Sequence, residues 1–156
     1  FNIINVYELK ENDLQIIGRI ERIDIPEWLL FGLEAKIDTG AFSSSIHCHR
    51  IEAYKNKTQN WVRFSLLDPE HEAYNNKVFE LPIYDVREVK SSNGVTELRF
   101  FIRAQIEINH RNIDTELSLT DRSEMKFPVL LGRKFLMNRF LVDVAQVHTS
   151  ENSLQN

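Results

Sequence analysis

Cysteine is almost absent. Cys48 is the only one in 156 residues, so neither an intrachain disulfide nor a cysteine-rich zinc module can be built. A chain this poor in thiols fits a reducing compartment, with the cytoplasm as the expectation, while a start at Phe1 rather than Met leaves open an exported form that has lost a leader. Chain breakers are scarce as well. Five glycines and four prolines, with no repeat, low-complexity block or Ser/Gly-rich linker, offer no place to divide the chain. No apolar run approaches the ~20 residues that a membrane helix needs. Basic residues are not in surplus either: 19 against 23 acidic ones give a net charge of −4, which disfavours a broad nucleic-acid surface. The expectation is one domain over residues 1–147 with no membrane or nucleic-acid partner, followed by a polar, flexible tail over 148–156. A domain of this size buries roughly 70% of the surface its unfolded chain exposes, enough for a core without staples.

The pattern that is present has a period of two. Leu98, Phe100, Ile102, Ala104, Ile106 and Ile108 alternate with polar residues or aromatics of the opposite face, which predicts one long half-buried strand. Ile113, Thr115, Leu117 and Leu119 continue the rule, with a turn expected at His110-Arg111-Asn112. Further strands are expected over 15–24, 33–39, 44–48, 61–67, 77–83 and 140–145. Ser91-Ser92-Asn93-Gly94 lies between residues 84–90 and the long strand, and Asn-Gly is a strong signal for a tight hairpin turn. Helical character is confined to residues 132–138, too few to be stable without packing.

Chemistry enters with Ala35-Lys36-Ile37-Asp38-Thr39-Gly40-Ala41, an acid, a hydroxyl and a glycine directly after an apolar alternation. Gly40 permits close backbone approach and Thr39 places a hydroxyl beside the Asp38 carboxylate. Alone, the tripeptide also reads as an Asx-type turn closing a strand. A second signature follows much later: Phe127-Pro128-Val129-Leu130-Leu131-Gly132-Arg133-Lys134-Phe135-Leu136. Asp-Thr-Gly-Ala followed by two aliphatics, a glycine and a short helix resembles the retropepsins, single-lobed aspartic peptidases. The blocks around Asp38, Val89-Lys90-Ser91-Ser92, Leu119-Thr120-Asp121-Arg122-Ser123 and Leu130-Leu131-Gly132-Arg133 are most similar to a bacterial retropepsin-like branch. That branch has long carried an ATP-dependent zinc protease label. It is sometimes found with ATP-grasp glutamate ligases related to ribosomal-protein S6 modification.

The resemblance implies a mostly β fold: a closed, acid-protease-like six-stranded barrel with one short helix, in which Leu130, Leu131 and Gly132 form a psi loop behind the Asp loop. It also implies a flap hairpin over 87–98. With one Asp-Thr-Gly per chain, the implied active unit is a homodimer in which Asp38, Thr39 and Gly40 of each copy build a catalytic dyad that activates water, with no cofactor and no metal. A peptide or protein would be the substrate, contacted by Ala41, Arg87, Lys90, Ser91, Ser92, Asn93, Gly94, Arg122 and Arg133. The apolar start Phe1-Asn2-Ile3-Ile4-Asn5-Val6 can supply an interface strand, although the polar end from His148 departs from the apolar chain ends of viral retropepsins. Viral enzymes also pair the arginine after the psi-loop glycine with an acid that is missing here. That leaves Arg133 to Asp121, to Asp143 or to a substrate carboxylate. Association with glutamate ligases would make acidic peptides the substrate class, with Arg87, Lys90, Arg122 and Arg133 as candidate contacts.

Two other readings remain. A retropepsin-like domain without hydrolysis can serve as a peptide-binding module. A zinc hydrolase would use His47 and His49, which share one strand face, yet two imidazoles fall short of a closed tetrahedral site and no His-Glu-x-x-His is present. No Gly-rich Lys-Ser/Thr loop supports ATP binding. Trp28 and Trp61 read as core or loop anchors, and Asn56-Lys57-Thr58 is a short match to a glycosylation acceptor.

Overall fold

The computed structural model describes residues 14–66, 77–90, 93–121 and 126–149. Among them the chain forms, in order, β1 (Gln15–Ile17), β2 (Ile20–Ile25), β3 (Leu30–Ile37), β4 (Ser44–Asn56), β5 (Gln59–Leu66), β6 (Val78–Pro82) and β7 (Asp85–Lys90). Then come β8 (Thr96–Ile108), β9 (Arg111–Thr120), β10 (Val129–Leu131), the single helical turn α1 (Arg133–Leu136) and β11 (Phe140–Val142). A 3-10 turn at Pro26–Trp28 joins β2 to β3.

Six of these strands, in the order β10-β3-β2-β8-β9-β4, close on themselves through a second pairing of β10 with β4. The expected closed arrangement of six strands is thus a hydrogen-bonded ring. Period-two alternation aims one face of each strand into it. On β8, Ile102, Ala104, Ile106 and Ile108 are buried, and they meet Leu33, Ala35, Ile46, Leu117, Val129 and Leu131 from the other strands. Each fully buried Ile or Leu contributes about 1.5–3 kcal/mol relative to exposure. An exposed ion pair contributes ~0–1 kcal/mol, so the interior, and not the charged surface, holds the ring.

β10 is the strand that positions the site. It runs parallel to β3, with Leu131 opposite Ile37, and antiparallel to β4, with Val129 opposite Ile46. It therefore lies between the two arms of the Asp38 turn, as expected of a psi loop. Beyond the ring, β5 and β6 extend the sheet from β4, where Trp28, Phe64 and Phe79 pack at centroid separations of 5.3–6.1 Å. Among the described residues the strand β7 pairs with β8 alone, giving the hairpin expected there, and Gly94 at its tip adopts φ 84°.

Several boundaries differ from the sequence reading. The run over 15–24 breaks at Gly18 because the chain there touches the segment after β11: a Cβ on Gly18 would lie 2.3 Å from the Gln146 carbonyl oxygen. The turn expected at 110–112 falls at Asn109-His110, both with positive φ, with Ile108 paired to Arg111. His148 and Thr149, assigned to a tail, belong to the domain. The His148 amide donates to the Ile20 carbonyl, and the Thr149 amide and hydroxyl donate to Glu21. Glu21 is fully buried and also accepts from the Gly18 amide, so these donors are what make its burial tolerable. Phe1–Val6, Ser91, Ser92 and Arg122 lie outside the described residues.

Candidate active site

The Asp38 turn is built almost wholly from backbone hydrogen bonds. As β3 ends, the Asp38 amide donates to the Leu131 carbonyl at 2.9 Å, so the psi-loop strand carries the acid to the end of the ring. The Gly40 amide then donates to Asp38 Oδ1 at 2.9 Å. A Cβ on Gly40 would sit 3.2 Å from that oxygen, tighter than ordinary contacts, so glycine is what lets the amide approach the carboxylate. Asp38 is partly exposed, and among the described residues no lysine or arginine forms an ion pair with it. Among those residues the carboxylate is held by an amide and by no cation.

Behind the turn, α1 takes up its outward carbonyls. Arg133 and Lys134 amides donate to Ala41 and Phe42 carbonyls at 2.8 and 3.0 Å, and Arg133 Nη1 donates to the Thr39 carbonyl at 3.0 Å. The Gly132 amide donates to the buried Ser44 Oγ at 3.0 Å. No side chain fits at Gly132, since a Cβ would meet the Ser43, Ala41 and Phe42 carbonyl oxygens at 2.5, 2.8 and 2.8 Å. Arg133 therefore braces the loop and lies over the Phe42 ring, and it bonds neither of the carboxylates proposed from sequence. Asp121 instead approaches His49, and Asp143 accepts from Gln146 and the Ala145 amide.

On the hairpin, alternation sorts the candidate contacts onto two faces. Phe100 continues the core-facing set of β8, and Leu98 and Val86 share that face with 69% and 47% exposure. Arg87 and Phe101 point the other way, toward the outer flank. There Arg87 donates to Asp85 and to Glu116 at 2.7 and 3.1 Å and lies over the Phe101 ring. Lys90, Asn93 and Gly94 are exposed along the hairpin and its tip. Ala41 is partly exposed at the exit of the Asp38 turn.

A cavity of about 340 Å³ lies on this outer flank, lined among others by Phe42, Ser44, Arg87, Phe101, Glu116 and Lys134. Its wall includes the exit of the Asp38 turn but not Asp38 itself. Glu116 was missed by sequence reading because on β9 it is simply the polar member of an alternating pair. Its cationic partners, Arg87 and Lys134, come from distant elements.

The histidine pair offers no metal geometry. The His47 and His49 rings stand edge to face with centroids 4.8 Å apart, and His49 Nδ1 faces Asp121 Oδ1 at 3.4 Å. Among the described residues no three His, Cys, Asp or Glu side chains are grouped to hold a metal, and the donor set does not fit the zinc that the old family label invokes. Cys48 faces the core between them, and burial pushes its thiol up to about 12.

Comparison with known proteins follows the same lines. Residues 16–152 match the RimB-like family, described as retropepsin-like aspartic endopeptidase RimB. A probable alpha-L-glutamate ligase of Desulfotalea psychrophila is 34% identical over 131 residues, covering 84% of this chain and 28% of that protein. One from Shewanella pealeana is 35% identical over 135 residues, covering 84% and 29%. The chain thus spans less than a third of the length of these relatives. Among solved structures, a Legionella pneumophila protein of unknown function superposes with a TM-score of 0.70 at 26% identity, covering 86% of this chain and 97% of its own.

Proposed function

The chain belongs to the RimB-like family of retropepsin-like aspartic endopeptidases, and on that premise we propose that it hydrolyses peptide bonds as a homodimer. The observation that supports this best is the Asp38 carboxylate, oriented by the Gly40 amide and free of a cationic partner among the described residues. One such acid is half of the chemistry. Two copies related by a twofold axis would bring both Asp38 side chains together, and acids about 3 Å apart share one proton because both cannot ionise cheaply. The charged member takes a proton from water while the neutral one donates to the scissile carbonyl oxygen. Thr39 would bond across the axis, and the hairpin would close over the peptide and exclude water.

The proposed substrate class is acidic, glutamate-rich peptide, supported by the ligase names of the relatives. Of the cations considered from sequence, Arg87 and Arg133 are already engaged, and Arg122 lies outside the described residues. Lys90 remains exposed on the hairpin for this role. The test is cleavage of glutamate-rich and neutral peptides across several pH values by the wild type and Asp38→Asn, which keeps the shape and removes the titratable acid. The expected result is turnover by the wild type, at least tenfold lower for the variant, with the fold of both intact by circular dichroism. Equal turnover by the variant overturns the dyad. A second reading, a non-hydrolytic peptide-binding domain, is favoured by the attachment of the matched region to chains named as ligases. It requires peptide binding that Asp38→Asn leaves unchanged, without cleavage by either protein.

A further inference from the structure

Lys134, one residue after the arginine that holds the Thr39 carbonyl, donates to Glu116 Oε2 at 2.8 Å. The same oxygen accepts from Arg87 Nη1 on β7 at 3.1 Å. Glu116 stands on the ring itself, on the strand β9, with its side chain only 12% exposed. A single carboxylate oxygen thus joins the hairpin to the helical turn that braces the Asp38 loop. Among the described residues the strand β7 is otherwise attached through β8, whose Phe100 packs on the core, and the cavity of about 340 Å³ lies between the root of β7 and the exit of the Asp38 loop. Polar contacts span that space.

The cavity's cations, Arg87, Arg103, Lys134 and Arg139, outnumber its carboxylates, Asp114 and Glu116, which at first sight suits an anionic ligand. Each is already engaged, however. Arg103 holds Asp114, Arg139 donates to the Lys134 and Phe135 carbonyls, and the other two converge on Glu116. These cations are thus engaged within the chain, and none is left as an open anion site.

We propose that Glu116 is a positioning residue: it clasps the β7–β8 hairpin to α1 and so sets how far the hairpin stands from the Asp38 loop. This rests on the peptidase reading only in treating the hairpin as the cover of a substrate. Hydrogen exchange of the hairpin amides needs no turnover and so tests the clasp separately. In Glu116→Gln, amides of 86–90 and 96–100 exchange about tenfold faster, the factor equivalent to ~1.4 kcal/mol, while those of β4 and β9 keep wild-type protection. Arg87→Met gives the same local rise, and the double variant adds nothing to either single one, as groups acting through one bond must. Glu116→Gln also weakens the acid-dependent loosening expected of the wild-type hairpin, leaving only the part due to Asp85. Hairpin exchange within twofold of wild type, or an equal rise in β4 and β9, overturns the proposal. Asp38→Asn leaves hairpin exchange unaltered, so loss of turnover and loss of the clasp are told apart.

Discussion

At the residue scale, two glycines shape the site for different reasons, and neither needs positive φ. Gly40 lets an amide reach Asp38 Oδ1, whereas Gly132 lets α1 start against three carbonyl oxygens of the Asp38 turn. The second tolerates no relief, because every atom a new Cβ would strike is backbone, the nearest at 2.5 Å. Gly132→Ala is therefore expected to cost on the order of 3 kcal/mol by overpacking. That corresponds to a fall in Tm of roughly 10 °C for a domain of this size, read by thermal denaturation. An unchanged Tm would mean that the loop and α1 can separate, and the brace formed by Arg133 on Thr39 would lose its physical basis.

At the scale of elements, the hairpin, the psi-loop strand and α1 were all legible, because each carries its own local signal. Asn93-Gly94 supplies the turn, Leu130-Leu131-Gly132 the buried strand and its glycine stop, and the alternation of β8 its two faces. What joins them was not legible. The pairing of Glu116 with Arg87 and Lys134 depends on three elements meeting in space, and no local pattern distinguishes it from ordinary surface charge. The outer half of β4 escaped for another reason: residues 49–56 are mostly exposed, so the ladder with β5 defines them and a buried face does not.

The clasp also has a direction in pH. Burial opposes the charge on Glu116 most, but hydrogen bonds from Lys134 and Arg87 together with their charges prevail and hold the carboxyl below the ordinary glutamate range. Asp85, bonded by Arg87, is lowered as well, and Arg103 and Asp114 complete the charged surroundings. A depressed carboxyl contributes fully above its unfolded value and loses the contribution as pH falls through the folded one. Hairpin protection, corrected for intrinsic exchange, is therefore expected to be flat from neutrality down to the ordinary glutamate range, to begin falling there and to go on falling until pH has passed the lowered folded value. A loss of protection already at pH 5–6 would assign the tether to some other group.

At the scale of the whole molecule, the segment through Thr149 is hydrogen-bonded to the ring that carries the Asp38 turn, while the proposed chemistry needs a second copy. The segment after β11 folds back on its own chain through Arg19, Ile20 and Glu21, which ties its backbone through Thr149 to the ring while Val144 stays 73% exposed. These contacts hold the segment without a second copy, so stability and the proposed assembly become separable. That separation gives the proposed dimer a stoichiometric signature. If each active unit needs one Asp38 from each of two exchanging copies, mixing wild type with Asp38→Asn at constant total protein yields units of which only the wild-type pairs work. Activity then falls as the square of the wild-type fraction, to about a quarter in an equal mixture. Independent protomers would retain about half. The quadratic curve is the expected outcome once exchange is complete, and a straight line would confine the chemistry to single chains and remove the shared dyad.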